Sequence, residues 1–269
     1  MKLIVTRPLG QAAPWVTRLQ ALGVEAQALP LIQIEPLGDA APVRQAWARM
    51  SSYAMVVFVS ANAVQYFFSA APGVRLGDSG RWPAGVWAGS TGPGTTAALL
   101  AAGVGRTALV EPSQDAKNYD SESLWEELQF RPWSGKRVLV VRGEEGRDWL
   151  ADALRARGAE VEFVAAYRRC PPRLDGAGRV LLDEALAEPE GHVWHFSSSE
   201  AIGYLLQLGR LHRPPAAWPL SRALASHPRI AQTARDAGFG SVHEVAANVQ
   251  AVADWLASPD APRKKQRRP

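Results

Sequence analysis

The feature that most constrains this chain is that it repeats itself. LIVTRP, a helical stretch and LGVEAQ recur as VLVVRG, a helical stretch and RGAEVE, so that Arg7 to Gly23 matches Arg142 to Gly158 at an offset of 135 residues. GPGTTAALLAAG, from Gly92 to Gly103, matches HPRIAQTARDAG, from His227 to Gly238, at the same offset. Between these pairs, VFVSANAVQYF around Ser60 resembles HFSSSEAIGYL around Ser198 at an offset of 138. Three pairs in one order point to two similar units in tandem.

Each unit alternates short Val, Ile and Leu runs with amphipathic segments, the pattern of parallel sheets covered by helices on both faces. Strands are predicted near residues 3–5, 54–59, 86–88, 137–141, 161–164, 192–196 and 222–225, with helices between them. A length of 269 residues with 47% apolar side chains suffices for one large domain or two ordinary ones. PLIQIEP (30–36) and AYRRCPP (166–172) break the rhythm, are extended in character and end in proline, which cannot continue a helix. They are expected to be paired hinge crossings. Sequence patterning leaves open either contiguous halves or an exchange in which the first 34 residues join the C-terminal half.

No apolar run nears the roughly 18 residues of a membrane span, and the run at residues 3–5 is cut short by Thr6, Arg7 and Pro8, so neither a membrane segment nor a signal peptide is expected. A cytoplasmic location follows as an expectation. The single cysteine, Cys170, excludes an internal disulfide. The net charge of +4 resides in the final RKKQRRP, since +4 less its five cations is −1. Residues 260–269 are expected to form a disordered basic tail, and no specific nucleic-acid partner is implied.

The matched positions sit where strands give way to helices, and parallel α/β sheets bind ligands at these carboxyl ends. A helix start offers free N–H groups and about half a positive charge, suited to carboxylate or phosphate. Ser60, Thr95 and Ser198 are candidate hydroxyl donors there, with N-capping as their alternative role. Arg7, Arg142 and Arg147 are candidate cations, with surface ion pairing as the alternative for Arg7 and Arg142. Arg147 is expected in the first turn of a helix, where a cation opposes the dipole. GPGTTAALLAAG is neither a Walker loop nor a G-x-G-x-x-G fingerprint, and no G-x-S-x-G elbow or metal-ligand spacing is present. A noncatalytic two-domain anion-binding protein and a tail-driven nucleic-acid binder remain alternatives at this level.

VTRP, FVSANAV, GPGT, YDSESL, VRGEEGRDWL, AYRR, HFSSSEAI and SHPRIAQTARDAG, in this order from about residue 2 to 257, resemble bacterial uroporphyrinogen-III synthase. The resemblance implies an α/β fold of two flavodoxin-like parallel-sheet domains related by duplication and joined by a two-stranded hinge. Residues 1–35 with 171–259 would form one domain and 36–170 the other, with the active site in the cleft between them. It implies cyclisation of hydroxymethylbilane to uroporphyrinogen III, with loss of water, by a monomeric cytoplasmic lyase that needs no cofactor and no metal. A transient hand-over from hydroxymethylbilane synthase belongs to the same expectation. Tyr167, in AYRR, falls on the family's tyrosine that assists the leaving hydroxyl, with an amphipathic hinge residue as its alternative role. Thr95 and Ser198 match cleft hydroxyls, and Arg147 matches a cleft arginine. His227, Pro228, Arg229 and Ile230 depart from the family's G-P-T-T pattern, leaving Arg229 as a carboxylate ligand in place of hydroxyls.

Overall fold

The computed structural model describes residues 1–71, 82–116, 118–210 and 217–258. The expected tail at 260–269 lies outside them. In chain order the elements begin with β1 (Lys2–Val5), α1 (Leu9–Ala21), β2 (Ala26–Ala28), β3 (Gln33–Pro36) and α2 (Ala41–Ala48). There follow β4 (Met55–Phe58), α3 (Ala61–Ser69), β5 (Trp87–Ser90), α4 (Pro93–Ala101), β6 (Leu109–Val110), α5 (Ser121–Leu128), β7 (Arg137–Gly143), α6 (Trp149–Ala156) and β8 (Glu160–Cys170). The chain closes with α7 (Gly176–Ala187), β9 (His192–Phe196), α8 (Ser199–Arg210), β10 (Arg222–Ala225), α9 (Pro228–Asp236), β11 (Ser241–Glu244) and α10 (Val249–Ala257).

Two compact units result, one from Met1–Gln33 with Cys170–Pro269 and one from Ile34–Arg169. The first holds a sheet in the order β11-β10-β9-β1-β2, every neighbouring pair parallel. The second holds β3-β8-β7-β4-β5-β6, parallel from β8 through β6. The first order repeats within the second when β1, β2, β9, β10 and β11 are matched with β7, β8, β4, β5 and β6.

Burial explains which strands the apolar runs reveal. Met55, Val56, Val57 and Phe58 of β4 are all buried because helices cover both faces. Alternation sends Val56 and Phe58 to a core with Phe67, Leu99 and Tyr167, and Met55 and Val57 to one with Leu124, Val138 and Leu154. In the other unit, Leu3, Val5, Leu19 and Leu224 form the core against α1 and α10. The sequence pattern overlooks β2 (AQA), β6 (LV) and β11 (SVHE), sheet-edge strands too short or too polar for an apolar run. It also shortens β8, which continues through AYRRC, so Tyr167 lies on a sheet strand.

Candidate active site

The start of α3 is the most fully built of the matched positions. β4 delivers the chain to Ser60, whose backbone is extended and whose Oγ accepts the Ala63 N–H at 3.1 Å, capping the helix. The same oxygen lies 3.1 Å from the Tyr167 phenol oxygen. Tyr167 is only 1% exposed. Its ring stacks on Tyr66 at 6.0 Å, and Tyr66 donates its hydroxyl to the Ile34 carbonyl at 3.2 Å. Burial, and then the Glu35 charge, raise the pKa of the Tyr66 phenol. On its other flank the Tyr167 ring approaches Gly143, its register partner on β7 beyond an irregularity at Arg142/Gly143. A Cβ on Gly143 would sit 3.2 Å from the Tyr167 Cε2 and Cζ atoms, so a larger residue there would require the ring to give by a few tenths of an ångström. Tyr66 lies in VFVSANAVQYF and Gly143 in VRGEEGRDWL, but neither segment carries a local signal that connects it to Tyr167, and only the structure does so.

At α4 the alternative role of Thr95, N-capping, is not the one it takes. Gly92 occupies the cap position without a side-chain acceptor, and Thr95 stands in the third residue of the helix, because Pro93 supplies the first turn's fixed φ. Thr95 is buried, and its hydroxyl makes no hydrogen bond to any described residue. Ser90 and Thr96 instead form the local network. Their hydroxyls are 2.8 Å apart, and Thr96 donates to Glu111 at 2.6 Å, while Arg106 pairs with Glu111 at 3.1 Å. A cavity of about 450 Å³ is lined by Gly92, Pro93, Thr96, Arg106, Glu111 and Tyr119, among others.

The loop between β7 and α6 carries Arg142 and Arg147, and both are already matched with carboxylates. Arg142 donates to Asp148 at 2.5 Å with its guanidinium 4.0 Å above the Phe163 ring. Arg147 grips Glu122, in the first turn of α5, through both terminal nitrogens. Arg147 precedes α6 rather than lying in its first turn, since that helix begins at Trp149 after Asp148, so its charge does not oppose the dipole from within. YDSESL serves this arrangement: Asp120 caps α5 by accepting the Ser123 N–H at 2.9 Å, and Glu122 follows.

In the first unit, Ser198 Oγ accepts the Glu200 N–H at 3.2 Å at the start of α8. Arg229 is exposed in the first turn of α9, where its backbone N–H donates to His227 Nδ1 at 3.1 Å. His227 therefore performs the cap that a Gly-Pro start would leave to bare backbone. Thr233 donates its hydroxyl to the Arg229 carbonyl at 2.9 Å, and its oxygen lies 3.0 Å from the Ser199 hydroxyl, which ties α9 to α8. Arg7 follows β1, with its guanidinium 4.0 Å over Trp15 and its Nε buried without a partner among the described residues. It has no ion pair among the described residues, and desolvation lowers its pKa to about 10. The Trp15 ring also stacks on His195 at 4.9 Å.

Among the described residues, no cluster of three or more His, Cys, Asp or Glu is placed to hold a metal, and no helix is long and apolar enough to cross a membrane. Among the described residues, polar groups stand at the carboxyl ends of parallel strands, with an arginine that has no ion pair among them, in an α/β protein whose strand ends are where such folds place their ligand-binding loops. The chain belongs to the uroporphyrinogen-III synthase family: a family model described as uroporphyrinogen-III synthase HemD matches residues 13–253. It is 29% identical over 253 residues to the uroporphyrinogen-III synthase of Salmonella typhimurium, covering 90% of this chain and 94% of the relative. The Escherichia coli enzyme of that name is 33% identical over 178 residues, 66% of this chain and 68% of the relative. In fold it is similar to a mutant uroporphyrinogen III synthase from Thermus thermophilus (TM-score 0.57, 18% identity, 96% and 97% covered). The uroporphyrinogen-III synthetase from Helicobacter pylori gives the same TM-score at 16% identity, with 95% and 97% covered.

Proposed function

We propose that this chain cyclises hydroxymethylbilane to uroporphyrinogen III, inverting ring D and releasing water. The family match over residues 13–253 carries the reading. In this chemistry the terminal hydroxyl leaves, pyrrole nitrogen supplies the electrons for an azafulvene cation, and the carbon bearing the D-ring side chains is attacked to give a spiro intermediate that recloses with the ring inverted. The protein's task is to position the chain and supply a proton to the leaving oxygen. The Ser60–Tyr167 pair, 3.1 Å apart at a helix start, is the proton source in this reading. The helix starts at Ser60, Thr95 and Ser198, together with Arg7, Arg142, Arg147 and Arg229, receive the substrate carboxylates. Arg7 and Arg229 have no ion pair among the described residues, while Arg142 and Arg147 must exchange a carboxylate partner for the substrate.

The finer expectations belong to the same proposal: a duplicated two-domain molecule of residues 1–35 with 171–259 and 36–170, hinged at its two extended segments, with the substrate held between the domains. The equivalent strand orders support the duplication. A monomeric cytoplasmic enzyme that takes its unstable substrate directly from hydroxymethylbilane synthase completes it. Product analysis tests the function. Purified protein given fresh hydroxymethylbilane yields the III isomer, and recovery of the spontaneous I isomer alone would refute the reading.

A further inference from the structure

We propose that the Ser60 hydroxyl delivers the proton to the leaving oxygen and that Tyr167 stands behind it, orienting and recharging it. This rests on the function proposed above. The argument is a count of donors and acceptors. The Tyr167 phenol is buried, and Ser60 Oγ is its one hydrogen-bond partner among the described residues. If Ser60 donated to the phenol, the phenol's own proton would be sealed in without an acceptor, at a cost of about 1–3 kcal/mol. Tyr167 is therefore the donor. Ser60 Oγ then accepts from both Tyr167 and the Ala63 N–H, which fills its two lone pairs. Its remaining proton has no acceptor among the described residues, and Ser60, unlike Tyr167, is partly exposed. The phenol cannot turn outward freely to replace it, because Tyr66 stacks on the ring and the residue is buried.

The arrangement also supplies acidity. A lone serine hydroxyl is a weak acid, whereas a phenol is a stronger one. As the terminal C–O bond breaks, the Ser60 proton passes to the departing oxygen, which leaves as water, and the pyrrole nitrogen lone pair forms the azafulvene C=N bond. Ser60 takes the Tyr167 proton across their hydrogen bond in the same event. Final ring closure sheds a proton from the attacked pyrrole carbon, and that proton returns through Ser60 to the phenolate. Ser60 is the catalytic residue, and Tyr167 is a positioning residue that acts through it.

The test compares kcat, KM and thermal midpoint for Ser60→Gly, Ser60→Asn, Ser60→Thr, Tyr167→Phe and the Ser60→Gly/Tyr167→Phe double variant. Glycine and asparagine both serve as helix caps, so folding is retained while the transferable proton is lost. The expected result is a fall in kcat of about 100-fold for Ser60→Gly and Ser60→Asn and about 10-fold for Tyr167→Phe, within the range for general acid catalysis, with KM held within about twofold. Ser60→Thr, which keeps a hydroxyl, retains most turnover. Tyr167→Phe adds no loss in the Ser60→Gly background, whereas Ser60→Gly still costs turnover in the Tyr167→Phe background. The proposal is overturned if Tyr167→Phe is the more damaging change, if Ser60→Gly adds nothing to it, or if the two losses multiply independently. Wild-type product confined to the I isomer would instead remove the underlying function, and III-isomer turnover unaffected by any of these changes would remove this pair from it.

Discussion

At the scale of single residues, His195 has the most consequence for stability. It is 0% exposed, neither ring nitrogen has a hydrogen-bond partner among the described residues, and burial, followed by the nearby Arg7 charge, lowers its pKa to about 3. The unfolded chain protonates this histidine near its ordinary pKa of about 6.5. Between those values the unfolded state binds the extra proton, so stability is fully present above about pH 6.5 and declines as pH falls toward 3. The loss at pH 5 is about 2 kcal/mol from this group. Urea unfolding at pH 7 and pH 5 measures it, and His195→Leu is expected to flatten the difference by about that amount. In the sequence, His195 is merely a histidine three residues from His192 with no metal-ligand spacing. Nothing local announces that both nitrogens are sealed, because the stacking Trp15 and the flanking strands come from elsewhere in the chain.

At the scale of elements, the starts of helices decide how the repeat is used. Gly92 has φ 166°, an extended backbone open to any residue, so its requirement is steric. A Cβ there would lie 2.8 Å from the Tyr119 Cβ, which is bonded to the main chain and cannot swing aside. Gly92→Ala is expected to lower stability by about 1–3 kcal/mol in denaturant unfolding, the range for overpacking. Gly94→Ala, two residues on, meets nothing within 4 Å and is expected to be neutral or stabilising, since alanine is the better helix former. Equal effects would exclude the Tyr119 contact as the cause. Serine before an apolar run correctly marked the starts of α3 and α8. It did not mark α4, where Thr95 lies inside the helix, or α9, where a histidine nitrogen performs the cap. Capping depends on which atom reaches the free N–H groups, and residue type alone does not specify that.

At the scale of the whole molecule, the two units differ in how the chain builds them. Residues 34–169 are continuous and contain β4 through β8, whereas the other sheet needs β1 from the N-terminus between β9 and β2. The fragment 34–169 is therefore expected to unfold cooperatively by circular dichroism, and 170–269 alone to lack a cooperative transition until residues 1–33 are supplied. A cooperative transition in isolated 170–269 would contradict this, since it would have lost an interior strand whose Leu3, Ile4 and Val5 are all fully buried. By itself the sequence determined the alternation of buried strands and helices, the repeat and the polar groups at strand ends, because each is a local periodicity or a spacing that survives folding. Only the tertiary structure decided that β1 lies between β2 and β9, that Tyr167 meets Ser60 across 107 residues, and that His195 is sealed with its carbonyl bonded to Thr6 across 189. Those relations join distant segments through burial and hydrogen-bond satisfaction, and local pattern does not encode which distant partner will satisfy a given group.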